Sequence, residues 1–269
     1  MISGRMLRFI GAASVPVFIA LVIIVRIPNL RGSFEIPFLV PILNTALTGV
    51  VSFIIAYFSA KSFISTGLHT LLLLGCGILM YGFTSSIAGW LGVINDGTNA
   101  LMTVQNTGAL IASTLHFASA ALTLRKAPLV TPKHKTLRIT VEYLSVILFT
   151  VIFATACLEG VIPPFYIAET GPTLLRRWVL GTASILFSLS SILFMKSYFA
   201  SKSTLLYWYS LGLAMISVAL CSFYLQHTVG DALGWTGRTA QYVGSLHIFV
   251  AVLTTIKPQN NTTNRGGHA

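Results

Sequence analysis

Residues 62–95 read SFISTGLHTLLLLGCGILMYGFTSSIAGWLGVIN and contain no Asp, Glu, Lys or Arg. A helix needs about 20 mostly apolar residues to cross the hydrocarbon core of a bilayer. Because no water is available there to satisfy backbone N–H and C=O groups, an apolar stretch of this length has to be helical. Residues 62–95 therefore predict one transmembrane helix with short flanking segments.

Seven further stretches without a charged residue repeat this pattern, so we expect an all-α integral membrane protein with eight transmembrane helices. With Ser62–Asn95 in its place in the order, the eight stretches are Phe9–Val25, Ile36–Ala60, Ser62–Asn95, Gly97–Leu124, Tyr143–Leu158, Trp178–Met195, Ser203–Gly230 and Thr239–Ile256. Charged residues make up 9% of the chain, against about 25% in soluble domains. The composition therefore excludes an ordinary soluble domain.

The basic residues predict the orientation of the helices. If the N-terminus is inside, twelve Lys and Arg fall in the inner segments and five in the outer ones, as the positive-inside rule requires. We therefore expect both termini in the cytoplasm, a multi-pass protein of the plasma membrane, and a surface in contact with the lipid bilayer. The net charge of +11 follows from this topology and predicts no nucleic-acid partner. A homo-oligomer is left open.

The two halves of the sequence resemble each other. Residues 112–126 (ASTLHFASAALTLRK) align without gaps to residues 243–257 (VGSLHIFVAVLTTIK), and residues 57–62 (YFSAKS) match residues 198–203 (YFASKS). Because four helices are an even number, the two copies would run in the same direction, related by a pseudo-two-fold axis along the membrane normal. We expect a single membrane domain, residues 1–257, built as a parallel 4+4 duplication. Its parts are repeat 1–126, a basic cytoplasmic loop 125–138 and repeat 137–257, followed by a disordered polar cytoplasmic tail, 258–269.

Polar side chains within the apolar stretches are candidates for a ligand site. Asn44, Gln105 and Gln241 lie in the second, fourth and eighth stretches, and Arg238 directly precedes the eighth. Interhelical hydrogen bonds alone also explain such amides, since each stabilises packed membrane helices by about 0.6–2 kcal/mol. We expect Arg238 to snorkel to the interface or to pair with Asp231. The functional and the structural interpretations of these residues both stay open here.

His116 and His247 occupy equivalent positions in the repeat, at depths that differ by about one helical rise of 1.5 Å. We hypothesise that they face each other near the pseudo-two-fold axis and bind something between them. Neutral imidazole is a ligand for haem iron, copper and zinc, and ionisable residues within a membrane mark functional sites by default. A bound haem or metal, a proton- or quinone-linked role, and a packing pair with satisfied hydrogen bonds are the three alternatives.

Three sets of segments carry a resemblance to a known family. They are residues 72–91 (LLLGCGILMYGFTSSIAGWL) with 106–110 (NTGAL), residues 163–166 (PPFY) with 171–174 (GPTL), and residues 206–220 (LYWYSLGLAMISVAL) with 233–238 (LGWTGR) and 240–244 (AQYVG). Together they resemble the N-terminal membrane-associated sensor domain of PAS-containing histidine kinases and related signalling proteins. The resemblance implies a multi-span module that passes a signal to cytoplasmic domains after the last helix.

The sequence departs from this family after Ile256, where only the short polar segment Lys257–Ala269 follows. We therefore expect a non-enzymatic sensory module that acts through a partner such as a cytoplasmic kinase. A shortened chain and a relative with another function are the alternatives. No HExxH, Walker A or GxSxG motif occurs in the sequence, and these are the patterns that indicate common catalytic sites. The competing class is a small-solute transporter or channel, which the repeat and the polar helix faces favour.

Overall fold

The computed structural model describes residues 4–28, 32–34, 36, 38–93, 97–125 and 134–256. In these residues the fold is all-helical apart from a two-stranded ribbon, β1 (Tyr166–Ile167) and β2 (Gly171–Pro172). The long helices are α1 (Gly4–Arg26), α2 (Leu39–Thr66), α3 (His69–Leu91), α4 (Thr98–Leu124), α5 (Lys135–Leu158), α6 (Leu174–Ser201), α7 (Thr204–Leu225) and α8 (Ala232–Ile256). Each charge-free stretch of the sequence supplies most of one long helix.

Seven of these helices, α1 to α7, are long and apolar enough to cross a membrane. Helix α8 has 25 residues, and Arg238, Gln241 and His247 interrupt its apolar sequence. All three side chains are buried within the bundle, so the polar content of α8 reflects its interior position. The prediction of an all-helical chain with several apolar helices of membrane-spanning length is confirmed, whereas the eighth span stays a prediction.

The boundaries between helices follow from local chemistry. Helix α5 begins at Lys135, well before the charge-free stretch Tyr143–Leu158, because Lys and Arg are good helix formers and extend the helix beyond its apolar part. Helix α2 ends at Thr66 and is capped by Gly67, whose left-handed backbone (φ 76°) directs its N–H to the carbonyl of Phe63. Glycine adopts this conformation without steric cost, so the chain turns there and α3 begins at His69.

Hydrogen bonds between helix ends show that consecutive helices alternate in direction. The Tyr207 hydroxyl donates to the carbonyl of Arg8 over 2.7 Å, which joins the starts of α7 and α1 on what we call the amino-terminal face. The Trp235 indole donates to the carbonyl of Phe34 over 2.7 Å, which joins the start of α8 to the segment before α2 on the opposite face. Helices α1, α3, α5 and α7 therefore begin at the amino-terminal face, and the even-numbered helices begin at the opposite face.

Helices α3 and α7 form the centre of the bundle. Helix α3 packs on α2, α4 and α5, and α7 packs on α1, α6 and α8; α4 also packs on α6, and α2 on α8. The core between them is filled by large buried side chains, including Phe63, Tyr81, Phe187, Phe194 and Tyr209. Close packing of aromatic and aliphatic side chains with small residues is the main attraction between helices in a lipid environment.

Helix α2 contains an irregular segment that positions part of the site. Residues Asn44–Val50 form a π-helix between the α-helical segments Leu39–Leu43 and Val51–Thr66. π-Helical turns are rare inside α-helices and occur frequently at functional sites. This segment carries Asn44 and Thr48, whose side chains are both buried.

Candidate functional site

Three of the four polar residues predicted from the sequence meet in one hydrogen-bonded cluster between α2, α3, α4 and α8. We call this cluster the polar layer; its members are Asn44, Thr48, Ser85, Gln105, Gln241 and Tyr242. These residues come from helices that are far apart in the sequence and adjacent in the bundle. The polar layer therefore ties four helices together at one depth.

Gln241 is the centre of the polar layer. Its Nε2 donates to Ser85 Oγ over 2.8 Å and to Thr48 Oγ1 over 3.2 Å. Its Oε1 accepts from Gln105 Nε2 over 3.2 Å. The side chain is fully buried, so it depends on these partners, because a buried amide without hydrogen bonds costs roughly 1–3 kcal/mol.

Asn44 completes the polar layer on the α2 side. Its Nδ2 donates to the carbonyl of Ser85 over 3.1 Å, and its Oδ1 accepts from the Tyr242 hydroxyl over 2.8 Å. Both ends of the amide are therefore engaged across two helix interfaces. In the structure Asn44, Gln105 and Gln241 all form interhelical hydrogen bonds, as the structural interpretation of these amides predicts.

A small polar cavity, which we call the chamber, lies next to the polar layer towards the opposite face. Its volume is about 20 Å³, and its polar lining comes from three helices and the end of a fourth: Gln105 and Asn106 of α4, Arg176 of α6, Gln226 after α7, and Arg238 of α8. A space of this size holds about one water molecule or one small polar group. Because Gln105 lines the chamber and also binds Gln241, the chamber and the polar layer are in direct contact.

Arg176 is the most unusual residue of the chamber. Its side chain is only 2% exposed, and its Nη2 donates to the carbonyl of Phe223 over 2.9 Å. Its Nε has no hydrogen-bond partner, and no carboxylate among the described residues lies within 4.0 Å of it. A buried guanidinium carries a large desolvation cost unless it is paired and hydrogen-bonded.

Arg238 also lines the chamber, and the structure corrects the expectation that it snorkels to the interface. The side chain is 7% exposed, and its guanidinium carbon lies 5.0 Å from the centre of the Trp235 ring, within the range of a cation–π interaction. The Asp231 carboxylate accepts backbone N–H groups of His227, Thr228 and Gly234. Asp231 therefore acts as the N-cap of α8, as aspartate often does.

A second cavity, which we call the vestibule, adjoins the chamber on the side of the opposite face. It has a volume of about 190 Å³ and shares Leu101, Val229 and Arg238 with the chamber. The rest of its lining is mostly apolar and comes from the segment before α2, the first turn of α2, the end of α3 and the start of α4. Arg238 thus lies at the boundary between the two cavities.

The two histidines predicted to form a facing pair contact different residues. His116 Nδ1 lies 3.1 Å from the Tyr209 hydroxyl, and the ring centre of His247 lies 5.5 Å from that of Trp208. Because Trp208 and Tyr209 are neighbours in α7, and successive residues of a helix point about 100° apart, α7 separates the two imidazoles. They do lie at the same depth, but they do not face each other.

His116 is fully buried and lines neither the chamber nor the vestibule. Its Nε2 has no hydrogen-bond partner, but a Cβ atom built at Gly77 would lie 3.0 Å from this nitrogen. The same Cβ atom would lie 2.9 Å from Cε1 and 3.2 Å from Nδ1, so the backbone of α3 packs against the face of the imidazole ring. Among the described residues, no group of three or more His, Cys, Asp or Glu is placed to hold a metal ion.

The largest of these cavities lies elsewhere, between α3, α4 and α5 at the amino-terminal face. It measures about 600 Å³, its walls are mainly Leu, Ile, Val and Met, and His69, Arg138 and Glu142 also line it. Its polar groups already contact one another, with Arg138 2.8 Å from His69 and 4.0 Å from Glu142. An apolar cleft of this kind suits a lipid chain better than a specific polar ligand, so we place the candidate site at the chamber.

Sequence reasoning missed three residues of the chamber: Arg176, Asn106 and Gln226. A signal for Arg176 was present, because the buried positions of α6 include Leu180, Ala183 and Phe187, and Arg176 lies on the same helical face. The neighbouring Arg177 is exposed and fits the role of an orientation charge.

Comparison of the chain with known protein families, curated proteins and solved structures gives no match.

Proposed function

We propose that the protein is a non-enzymatic sensory module of the plasma membrane with eight spans. A small ligand enters the vestibule and reaches the chamber, and its occupancy is passed on through the polar layer. The observation that carries this proposal is the hydrogen bond between Gln105 and Gln241, because Gln105 belongs to the chamber and Gln241 holds the π-helical segment of α2. The sequence resemblance to membrane-associated sensor domains supports the same function.

Helix α2 is the element that carries the signal across the membrane in this proposal. Thr48 in its π-helical segment accepts a hydrogen bond from Gln241, and Ile64, near the other end of α2, accepts one from Lys135 over 3.1 Å at the amino-terminal face. A change at Gln105 therefore has a continuous route to that face through two side chains and one helix. There a cytoplasmic partner such as a kinase receives it.

The 4+4 duplication is part of the same proposal, and the helix neighbours support it. If α1 to α4 correspond to α5 to α8, then the packing of α3 on α4, α2 and α5 corresponds to that of α7 on α8, α6 and α1. The packing of α4 on α6 corresponds likewise to that of α8 on α2. The chamber then lies between the equivalent helices α4 and α8, where transporters built from repeats also bind their substrates.

A small-solute transporter is the second candidate, because a chamber between the two proposed repeats with an adjoining vestibule also fits alternating access. The two functions differ in flux. The first step selects solutes that raise the melting temperature of the purified full chain. Each selected solute is then tested in proteoliposomes for saturable uptake, and in the same membranes for its effect on hydrogen exchange at residues 51–66 of α2. Ligand-dependent exchange without uptake supports the sensor. Saturable uptake would overturn it.

Gln241→Ala separates binding from transmission in this experiment. It removes the hydrogen bonds of Gln241 with Gln105, Thr48 and Ser85 and replaces none of the residues that line the chamber. We expect this variant to bind the stabilising solute and to lose the ligand-dependent change in exchange at α2. An unchanged response in Gln241→Ala would contradict the proposed route.

A further inference from the structure

We propose that the ligand of the chamber is a small oxyanion, which enters through the vestibule and is bound by Arg176 and Asn106, with Arg238 at the entrance. This inference rests on the site of the proposed function and adds the chemical class of the ligand. The shared chemistry is a carboxylate or phosphate oxygen that accepts several hydrogen bonds from buried donors.

The donors of the chamber exceed the acceptors that the protein offers them. Arg176 has five N–H donors, of which the structure engages Nη2 with the Phe223 carbonyl, whereas Nε is buried without a partner. Asn106 is 4% exposed, and its Nδ2 has no partner either. Both residues line the chamber, and two unpartnered buried donors beside one cavity point to a missing acceptor.

The charge of the chamber favours an anionic acceptor over a neutral one. Arg176 and Arg238 reach it from two helices, and both side chains are more than nine-tenths buried. The buried Asp231 carboxylate, which is also held by three backbone N–H groups at the start of α8, interacts electrostatically with Arg176 and offsets part of this positive charge. A guanidinium forms its strongest hydrogen bonds with carboxylate and phosphate groups, often through two parallel N–H donors.

The two volumes limit the size of the ligand. The chamber of about 20 Å³ accepts a single polar group, and the vestibule of about 190 Å³ accepts the remainder of the molecule. Pockets for drug-sized ligands are larger, roughly 300–1,000 Å³. The apolar walls of the vestibule, which include Phe38, Pro41 and Leu101, favour a short hydrocarbon body attached to the anionic group.

The test uses the purified full chain in nanodiscs of zwitterionic lipid and measures thermal stabilisation and binding heat. The probes are straight-chain carboxylates from acetate to hexanoate, their neutral amides, and inorganic phosphate; a parallel arm replaces part of the lipid with an anionic phospholipid. We expect at least one carboxylate or phosphate to bind and its neutral counterpart not to bind. If stabilisation that depends on Arg176 occurs only with anionic lipid, the oxyanion is a lipid head group.

Matched variants assign the binding to the chamber. Arg176→Gln should weaken anion binding about tenfold or more, because hydrogen bonds to charged groups are the strong ones. The exposed neighbour provides the control, and Arg177→Gln should change the affinity by less than about twofold, as a distant surface charge does. Equal losses in Arg176→Gln and Arg177→Gln would overturn the inference.

Asn106→Asp gives a second test that does not depend on losing Arg176. The new carboxylate takes the place of the ligand's oxygens beside Arg176, so we expect a higher melting temperature without ligand and no further stabilisation by anions. A variant that still binds the anion with unchanged affinity would contradict the inference. A neutral solute that binds and changes hydrogen exchange at α2 would contradict the oxyanion inference but not the sensory proposal. Anion binding with saturable uptake would contradict the sensory proposal but not the oxyanion inference.

Discussion

Gln105 donates to Gln241 over 3.2 Å, although 136 positions separate the two residues in the sequence. Gln105 lies in α4 and Gln241 in α8, the two helices that the proposed duplication would make equivalent. Their contact is one of several polar contacts between the two halves of the chain, beside those of Gln241 with Thr48 and Ser85. The polar layer and the chamber share this contact, so its strength can be measured separately from ligand binding.

Replacement of Gln241 by leucine should lower the free energy of unfolding by about 2 kcal/mol. The variant loses three interhelical hydrogen bonds, each worth about 0.6–2 kcal/mol in a membrane bundle. The measurement is reversible unfolding in mixed micelles. Thr239→Leu, at an exposed position of the same helix, should change the value by less than about 0.5 kcal/mol; equal effects of the two substitutions would show that the polar layer adds no stability.

Gly244→Ala should destabilise the protein, because a Cβ atom there would lie 2.9 Å from the carbonyl oxygen of Gly212 in α7. The two helix backbones would have to separate, at a cost of roughly 1–3 kcal/mol. Gly181 lies inside α6, and a Cβ atom at this position would meet only Tyr224 at 3.8 Å. Gly181→Ala should therefore stabilise by up to about 1 kcal/mol through helix propensity, and melting temperatures measured side by side check both signs.

The predicted topology can be tested at two exposed positions on different faces, Glu169 and Lys202. In a chain whose native Cys76, Cys157 and Cys221 are replaced by alanine, Glu169→Cys should react with a membrane-impermeant maleimide in intact cells. Lys202→Cys should react only after the cells are permeabilised, since the basic amino-terminal face is expected in the cytoplasm. Reaction of both variants in intact cells would disprove the proposed orientation.

The histidines should not bind haem or a stoichiometric transition metal as a pair. Helix α7 lies between them, with His116 against Tyr209 and His247 against Trp208. We expect the purified protein to lack a Soret band, and its metal content to stay unchanged in His116→Gln and in His247→Gln. A Soret band or metal that disappears in both variants would restore the cofactor hypothesis.

The helices could be predicted from the sequence because a bilayer leaves an apolar stretch no other structure. Residues 62–95 contain α3 in full, and its start after Gly67 follows from one left-handed glycine. Asn44, Gln105 and Gln241 could be named as interior residues because amides are rare in lipid-facing positions. The depth of His116 and His247 could be predicted from helical rise, but the helix between them could not, because their directions depend on packing.

Arg176 shows why the rest of the site was missed. A basic residue at the start of a span can be an orientation charge of the loop or a residue that lines a cavity. The sequence alone favours the orientation charge. Burial of Arg176 beside exposed Arg177 is decided by the rotation of α6, which the core residues Leu180 and Phe187 set. The pairing of Arg176 with Arg238 in one chamber then depends on tertiary packing across three helices.

The π-helical segment Asn44–Val50 gives α2 a way to move that a regular helix lacks. A π turn holds one residue more than an α turn, so the position of this extra residue can travel along the helix while both ends stay anchored. Each residue that the turn passes over rotates by about 100° and advances by about 1.5 Å. Thr48 would then leave Gln241 and another side chain would take its place, so α2 could act as a screw with discrete steps rather than as a rigid rod.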